Sequence, residues 1–499
     1  MSKQNTVLIR ADANAVIGSG HVGRCIALAQ EIQGRGDRVI FAATELGGMR
    51  SRIEAERFEI VDLPATRGSR EDAEMTGALY SENQASWLIA DGYEFKEAFQ
   101  RGLEAAKVRS LLIDDYGQLG VWRSQFVLDQ NLGARQEHYA NKTPDARLLM
   151  GSSYVLLRRE FRNWKNWKRA INNPARNLLV TFGGGDASEM FERVVGALAL
   201  IPPHTFNVVF LVGPNPGDLS SLKQSIVDCG LQVCLEADTP NMPDWLTWAD
   251  VAISAAGSTC WEMCYLGLPA IVFALASNQV NTAQSLFDGG AVKYFGDSMD
   301  CSPEAVSSEL LRLATKSKER ERMSQAGRSL IDGRGAQRVA DLLFAAYVRL
   351  RAVTASDSRL LWEWANDPEV RKQSFTQETI SWPVHDSWFQ SRLAESDTLI
   401  RIAENQNGDS IGVVRFKLSE ENAVVSISLA QQFRGLGLAA TVLKCALQEL
   451  AQTIPVRDIS AYVKPENLSS LRLFERAGFV CKEQTRVKGQ AAMHLVLQN

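Results

Sequence analysis

Histidine is scarce in this chain. There are five in 499 residues, and only His21 falls within the first 130. The eight cysteines are scattered, with no C-x-x-C pair. That excludes a disulfide frame and a zinc ribbon, and reads as reduced core thiols of a cytoplasmic protein. Cys260 and Cys264 can share a helix face, but two thiols without a third ligand make a poor metal site. No apolar run approaches the 18 or so residues of a membrane span, so none is expected. The start, MSKQNTVLIR, lacks the apolar centre of a signal peptide. The net charge of −4 gives no reason to expect nucleic acid or an anionic membrane as partner. Short-period repeats, low-complexity tracts and clustered carboxylates of the DxD kind are also missing, so no metal is expected.

What is present is a globular composition, 45% apolar and 22% charged. The chain is too long for one core, which predicts two to four domains. Short aliphatic runs at Val7–Ile9, Val39–Phe41, Trp87–Ala90 and Leu111–Ile113 suit buried parallel strands. Between the first two, Val22–Arg35 has the apolar spacing of a helix lying on a sheet, so the unit is βαβ. The pattern restarts with Leu178–Phe182, Val208–Val212, Val251–Ser254 and Ala270–Phe273. FRNWKNWKRAINNPAR, just before it, reads as a polar linker. Beyond residue 350 the runs Leu399–Glu404, Ile411–Phe416 and Val424–Leu429 follow one another closely, as in an antiparallel meander. A helix at Leu438–Leu450 and strands at Ile459–Val463 and Met493–Leu497 complete it. The expected fold class is α/β, with Rossmann-like domains at 1–165 and 175–345 and an α+β domain at 350–499.

Candidate chemistry clusters at strand exits, where ligands of such sheets bind. RADANAVIGSGH, residues 10–21, runs from a strand into a helix. Gly18 and Gly20 allow a tight turn and close approach of a ligand. An imidazole at that junction suits a general base for water. Asp12, on the same loop, is expected to orient it. In the second half, AAGSTCWE (255–262) supplies Gly257 and Ser258 at a helix start, where backbone N–H groups can meet a diphosphate. Glu262 is placed for ribose hydroxyls, or it is a plain helix-start glutamate favoured by the macrodipole. TFGGGD (181–186, with Gly184) and ASNQ (276–279, with Asn278 and Gln279) are two further polar exits.

The pattern of Arg10, Asp12, Ile17, Gly18, Gly20, His21 and Arg24, with these loops and the segment IDGRGAQR, resembles the UDP-sugar hydrolase family of pseudaminic acid biosynthesis over residues 5–345. The resemblance implies a glycosyltransferase-B fold and cleavage of UDP-2,4-diacetamido-2,4,6-trideoxy-β-L-altropyranose to free sugar and UDP. It implies that His21 is the catalytic base, that Arg10, Asp12 and Gly20 belong to the substrate site, and that Asn278 acts near the anomeric carbon. LIADGYE (88–94) resembles the family's aspartate-x-tyrosine exit and brings in Tyr93.

A second glycine pair sits in Gln432-Phe433-Arg434-Gly435-Leu436-Gly437, between a strand and a helix, where converging N–H groups suit a pyrophosphate. With NLSSLRLFERAGF (467–479), this resembles the GNAT N-acetyltransferases over 350–499. The resemblance implies acetyl-CoA on the loop 432–437, with Asn467 and Ser470 meeting the cofactor. Phe474 stands where many of the family have tyrosine. LLWEWANDPEVRKQSF, with His385 and Trp388, is similar both to acetyltransferases of nucleotide sugars and to those of ribosomal proteins. Together the two resemblances imply a bifunctional enzyme with a nucleotide-sugar substrate. A UDP-sugar glycosyltransferase, a hydrolysing 2-epimerase, and a GNAT domain acting on another amine or as a sensor remain open.

Overall fold

A computed structural model describes residues 4–184, 187–213, 219–237, 239, 241–297, 302–344, 348–395, 397–405, 408–420, 422–434 and 438–498. The chain divides into two compact units, Lys3–Ala340 and Asp341–Asn499.

The first unit holds two parallel sheets. One comprises β1 (Thr6–Ala11), β2 (Arg38–Ala43), β3 (Glu59–Asp62), β4 (Trp87–Asp91), β5 (Ser110–Ile113), β6 (Phe126–Asp129) and β7 (Arg147–Met150). Their order is β3-β2-β1-β4-β5-β6-β7. The central strands are aliphatic runs buried on both faces, as parallel sheets require. The edge strand β3 is only half-buried and has no such run, which is why the pattern did not mark it. The other sheet comprises β8 (Asn177–Thr181), β9 (Asn207–Val212), β10 (Val233–Ala237), β11 (Val251–Ala255), β12 (Ala270–Ala274) and β13 (Val292–Asp297), in the order β10-β9-β8-β11-β12-β13. Each order reverses once, beside β1 in one sheet and beside β8 in the other. At those reversals crossovers leave to opposite sides, and a crevice opens at the strands' carboxyl ends.

The stretch expected to be a polar linker packs against the second sheet's core. Arg159–Trp164 forms a 3-10 helix, and Phe161 is buried with Trp164 and Trp167 against the second sheet's core. Arg169 donates to the carbonyls of Leu246, Ala249 and Leu266. The three anchors, Phe161, Trp164 and Trp167, are spaced too irregularly for a helix or strand pattern and stand among polar residues.

The second unit has one mixed sheet of β14 (Arg349–Ala352), β15 (Thr398–Glu404), β16 (Ser410–Leu418), β17 (Asn422–Leu429), β18 (Asp458–Val463), β19 (Val480–Val487) and β20 (Gln490–Gln498), in the order β14-β15-β16-β17-β18-β20-β19. β17 and β18 run parallel and pair only at their starts, Asn422–Val424 against Asp458–Ser460. Beyond that the two strands part.

Candidate functional site

His21 is the second residue of the helix Gly20–Gly34, which starts where the chain leaves β1. Gly18 makes the turn with a φ of 71°, a conformation that favours glycine. β4 lies next to β1, with Ala11 opposite Asp91, so the end of β4 sits beside the start of this helix. Asp91 accepts the Nδ1–H of His21 at 2.6 Å. Nε2 is therefore the ring nitrogen able to take a proton. Arg24, one helical turn on, donates to both oxygens of Asp91, at 2.6 and 2.8 Å. It also donates to Asp115, just past β5, at 2.8 and 3.1 Å. Tyr93 stands edge-on to the His21 ring at 4.8 Å. Its hydroxyl donates to Asp115 at 2.7 Å and accepts from Asn278 Nδ2 at 2.8 Å.

This cluster is charged and almost dry. Burial alone would raise the Asp91 carboxyl, but the Arg24 guanidinium and the His21 ring outweigh it and hold it below the usual carboxylate range. Asp115 is held well below that range, again against burial, chiefly by Arg24. Burial, and then the Asp115 charge, push the Tyr93 phenol far above its ordinary value. Tyr93 is thus a neutral hydrogen-bonding group, not a base.

Two expected site residues, Arg10 and Asp12, bond to other partners than the His21 cluster. Arg10 is 0% exposed and bonds both oxygens of Asp72 at 2.9 Å, with its guanidinium 5.0 Å from the Phe95 ring. Asp12 does not touch His21. It accepts from Arg10 at 2.6 Å and from the backbone N–H groups of Thr44 and Glu45. Both residues brace the ends of β1 and β2. A buried guanidinium needs its carboxylates, and that need accounts for the pair without a ligand. Asp91, Asp115 and the bridging role of Arg24 in this cluster were not among the expected site residues. The available signal was an aspartate at each of three adjoining strand ends, in LIAD, LLIDD and FVLD.

The second sheet's exits meet the first sheet across a cavity of about 360 Å³. Gly184, Ser258 and Glu262 line it, with Ser19 and Arg24 from the other side. A β-carbon on Gly184 would lie 1.7 Å from Ser19 Oγ, so only glycine fits there. Gly20 faces Ser258 in the same way at looser range. Gly257 lies close to the Gln279 side chain, whose Oε1 accepts from the Leu275 N–H. Asn278 and Gln279 are on the first turn of the helix Ser277–Asp288, not in the loop before it. Glu262 pairs with Arg158 at 3.1 Å, and its burial raises its pKa against that partner. Among the described residues no group of three or more His, Cys, Asp or Glu is placed to hold a metal ion.

In the second unit, Gly435, Leu436 and Gly437 lie outside the described residues. Gln432 is in the 3-10 turn Gln431–Phe433 that leaves β17. The Arg434 side chain is engaged by the Leu429 carbonyl and by Asp367, so any cofactor contact falls to its backbone. Asn467 caps the helix Leu468–Arg476 by accepting the Ser470 N–H. Phe474 is 4% exposed and packs on Phe479 at 5.0 Å. It is a core residue of this unit. His385 is likewise buried, bonded to the Ser358 carbonyl.

Residues 177–340 match the glycosyltransferase family 28 C-terminal domain, and residues 348–480 match the acetyltransferase (GNAT) domain. With two parallel Rossmann-like sheets in the first unit and a mixed, splayed sheet in the second, the fold is a glycosyltransferase-B-like pair followed by a GNAT domain. Among individual proteins, the chain is 22% identical to the uncharacterized protein MJ1062 of Methanocaldococcus jannaschii, over 95% of this chain and 96% of that protein. It is 26% identical to the spore coat polysaccharide biosynthesis protein SpsG of Bacillus subtilis over 41% of this chain, and spans 60% of SpsG's length. A crystal structure of MurG from Acinetobacter baumannii is 17% identical, covering 68% of this chain and 99% of that one, with a TM-score of 0.49. No helix among the described residues is long and apolar enough to cross a membrane.

Proposed function

We propose that the first unit hydrolyses a UDP-sugar, UDP-2,4-diacetamido-2,4,6-trideoxy-β-L-altropyranose, to free sugar and UDP. The second unit acetylates the 4-amino group of the precursor UDP-sugar with acetyl-CoA. The observation that carries the hydrolytic reading is the buried His21–Asp91 pair at the reversal between β1 and β4. Water attacks the anomeric carbon and gives a proton to His21 Nε2. The carbon–oxygen bond to UDP breaks, and its electron pair leaves on the phosphate oxygen. Asp91 fixes the tautomer and stabilises the imidazolium that forms. UDP is a good leaving group, so no strong acid is required. Tyr93 and Asn278 form a neutral hydrogen-bonded wall beside His21. Gly184, Gly257, Ser258 and Gln279 surround the diphosphate, and Glu262 takes the ribose hydroxyls. Acetyl-CoA is the cosubstrate of the GNAT domain, its pyrophosphate on the loop 432–437 and its neighbours Asn467 and Ser470 at the next helix start.

The match to a glycosyltransferase domain favours a second reading, transfer of the sugar to an acceptor other than water. The test is to incubate the protein with the 4-amino UDP-sugar, with and without acetyl-CoA, and measure UDP. UDP released only with acetyl-CoA, with no added acceptor, supports consecutive acetylation and hydrolysis. Release that rises sharply with an acceptor sugar supports transfer.

A further inference from the structure

The helix Ser277–Asp288 belongs to the second sheet's half of the first unit, between β12 and β13. One side of it lies along the exits of three neighbouring strands of the first sheet, β4, β5 and β6. Asn278 reaches Tyr93, just past β4, at 2.8 Å. Thr282 reaches Tyr116, just past β5, at 3.3 Å, and Asn131, just past β6, at 3.4 Å. Ser285 closes on Gly133, where a β-carbon would lie 2.9 Å from the serine Oγ. Positions 278, 282 and 285 have the spacing of a single helical face. Two of the exits they meet carry Asp91 and Asp115, the carboxylates of the His21 cluster.

Asn131 is the joint between this helix and that cluster. It is 5% exposed. Its Nδ2 donates to Asp115 Oδ1 at 2.7 Å and to Asp129 Oδ1 at 2.8 Å. With both amide protons on carboxylates, its Oδ1 is left to accept, and the Thr282 hydroxyl donates to it. The Thr282 oxygen keeps lone pairs for the Tyr116 hydroxyl. Tyr116 has a φ of 55°, rare for a bulky side chain, and its N–H is held by Asp129. Such a conformation persists where the surroundings over-determine it. Asp115 has Asn131 on one oxygen, Tyr93 on the other and Arg24 on both. Held at both oxygens, this carboxylate fixes the Arg24 fork that joins it to Asp91.

We propose that Thr282 and Asn131 are positioning residues for His21. They set Asp115, and through Arg24 and Tyr93 the His21–Asp91 pair, while the second sheet's helix is seated on the first sheet's exits. The half of the cleft opposite His21 thereby assembles the base. This rests on the hydrolytic reading of the first unit. The effect is on the orientation of the base, not on affinity for the nucleotide.

The test uses the full-length protein and UDP release from the diacetamido UDP-sugar. Thr282→Val keeps the branched shape and removes the hydroxyl, and Thr282→Ser keeps the hydroxyl. The expected result is a kcat about 3- to 10-fold lower in Thr282→Val, the scale of one neutral hydrogen bond. KM and the Kd for UDP stay within about twofold, and Thr282→Ser stays near wild type. In a His21→Ala background, Thr282→Val costs nothing further, because groups that act as a unit are lost together. The ¹⁵N resonances of the His21 ring, read without substrate, shift in Thr282→Val and return in Thr282→Ser. An unchanged kcat, a change confined to KM or Tm, a loss that adds fully to that of His21→Ala, or unshifted resonances would overturn the proposal. If wild type releases no UDP, or His21→Ala keeps the wild-type rate, the hydrolytic reading falls, and the resonances alone then decide whether this helix sets the histidine.

Discussion

At the scale of single residues, His21 and its partners carry the first prediction. His21→Ala should slow UDP release by about 10²–10⁴-fold, the usual range for a general base, with UDP affinity little changed by titration calorimetry. Asp91→Asn should fall in a similar range, because an amide does not fix the same tautomer. Activity of either variant within a few-fold of wild type would return the pair to a structural role. Glu262→Ala should weaken UDP binding by about 1.5–3 kcal/mol, the scale of a hydrogen bond to a charged group. Unchanged affinity with a lower Tm would make the Glu262–Arg158 pair a strut. Asp114 gives a separate, stability-based test. It is buried beside Asp115, with Trp122 Nε1 donating to one oxygen and no partner for the other. Burial and the Asp115 charge push it up to about 7, against about 3.9 for a free aspartate. The folded state thus holds this proton more tightly than the unfolded one. Its contribution is full below about pH 4 and is lost as pH rises through about 7. Urea midpoints of Asp114→Asn should therefore fall less than wild type between pH 5 and pH 8.5. An identical fall in both would refute the assignment.

At the scale of elements, what matters is which strand end meets which helix start. The glycine exits and aliphatic runs were legible because both are local. A buried parallel strand needs several consecutive apolar residues, and a tight exit needs glycine. The role of Asp91 was not legible, although LIADGYE stood in plain view. Its partner His21 is 70 residues away, and only the adjacency of β1 and β4 brings them together. Arg10 and Asp12 show the converse. They sit in the same motif as His21, but spacing alone cannot separate a residue that builds the loop from one that meets the ligand. Their burial does. Gly184 tests the element-level packing. A methyl group there collides with Ser19 Oγ, so Gly184→Ala should force the two sheets' exits apart and reduce UDP release at least tenfold by the lost orientation. Acetyl transfer should continue at the wild-type rate. A fully active Gly184→Ala protein would mean that the exits need not meet as they do.

At the scale of the whole molecule, the two units carry separate chemistry, and the clearest prediction is their independence at the level of residues. His21→Ala should convert the 4-amino UDP-sugar to its acetylated form and stop there, which mass spectrometry of the product would show. Free acetylated sugar from that variant would place hydrolysis elsewhere. Excess EDTA should leave UDP release unchanged, and recovery of lost activity by magnesium would overturn that. By itself, the sequence determined the kinds of element, the order of the three sheets and the glycine exits, because apolar runs and turn residues act over a few neighbours. Only the tertiary structure decided which charges neutralise which. Arg24 reaches Asp115 across 91 residues of chain, and Tyr93 reaches Asn278 across 185. Those pairings follow from a strand order that reverses beside β1 and from the second sheet closing over the first, and no local pattern encodes either.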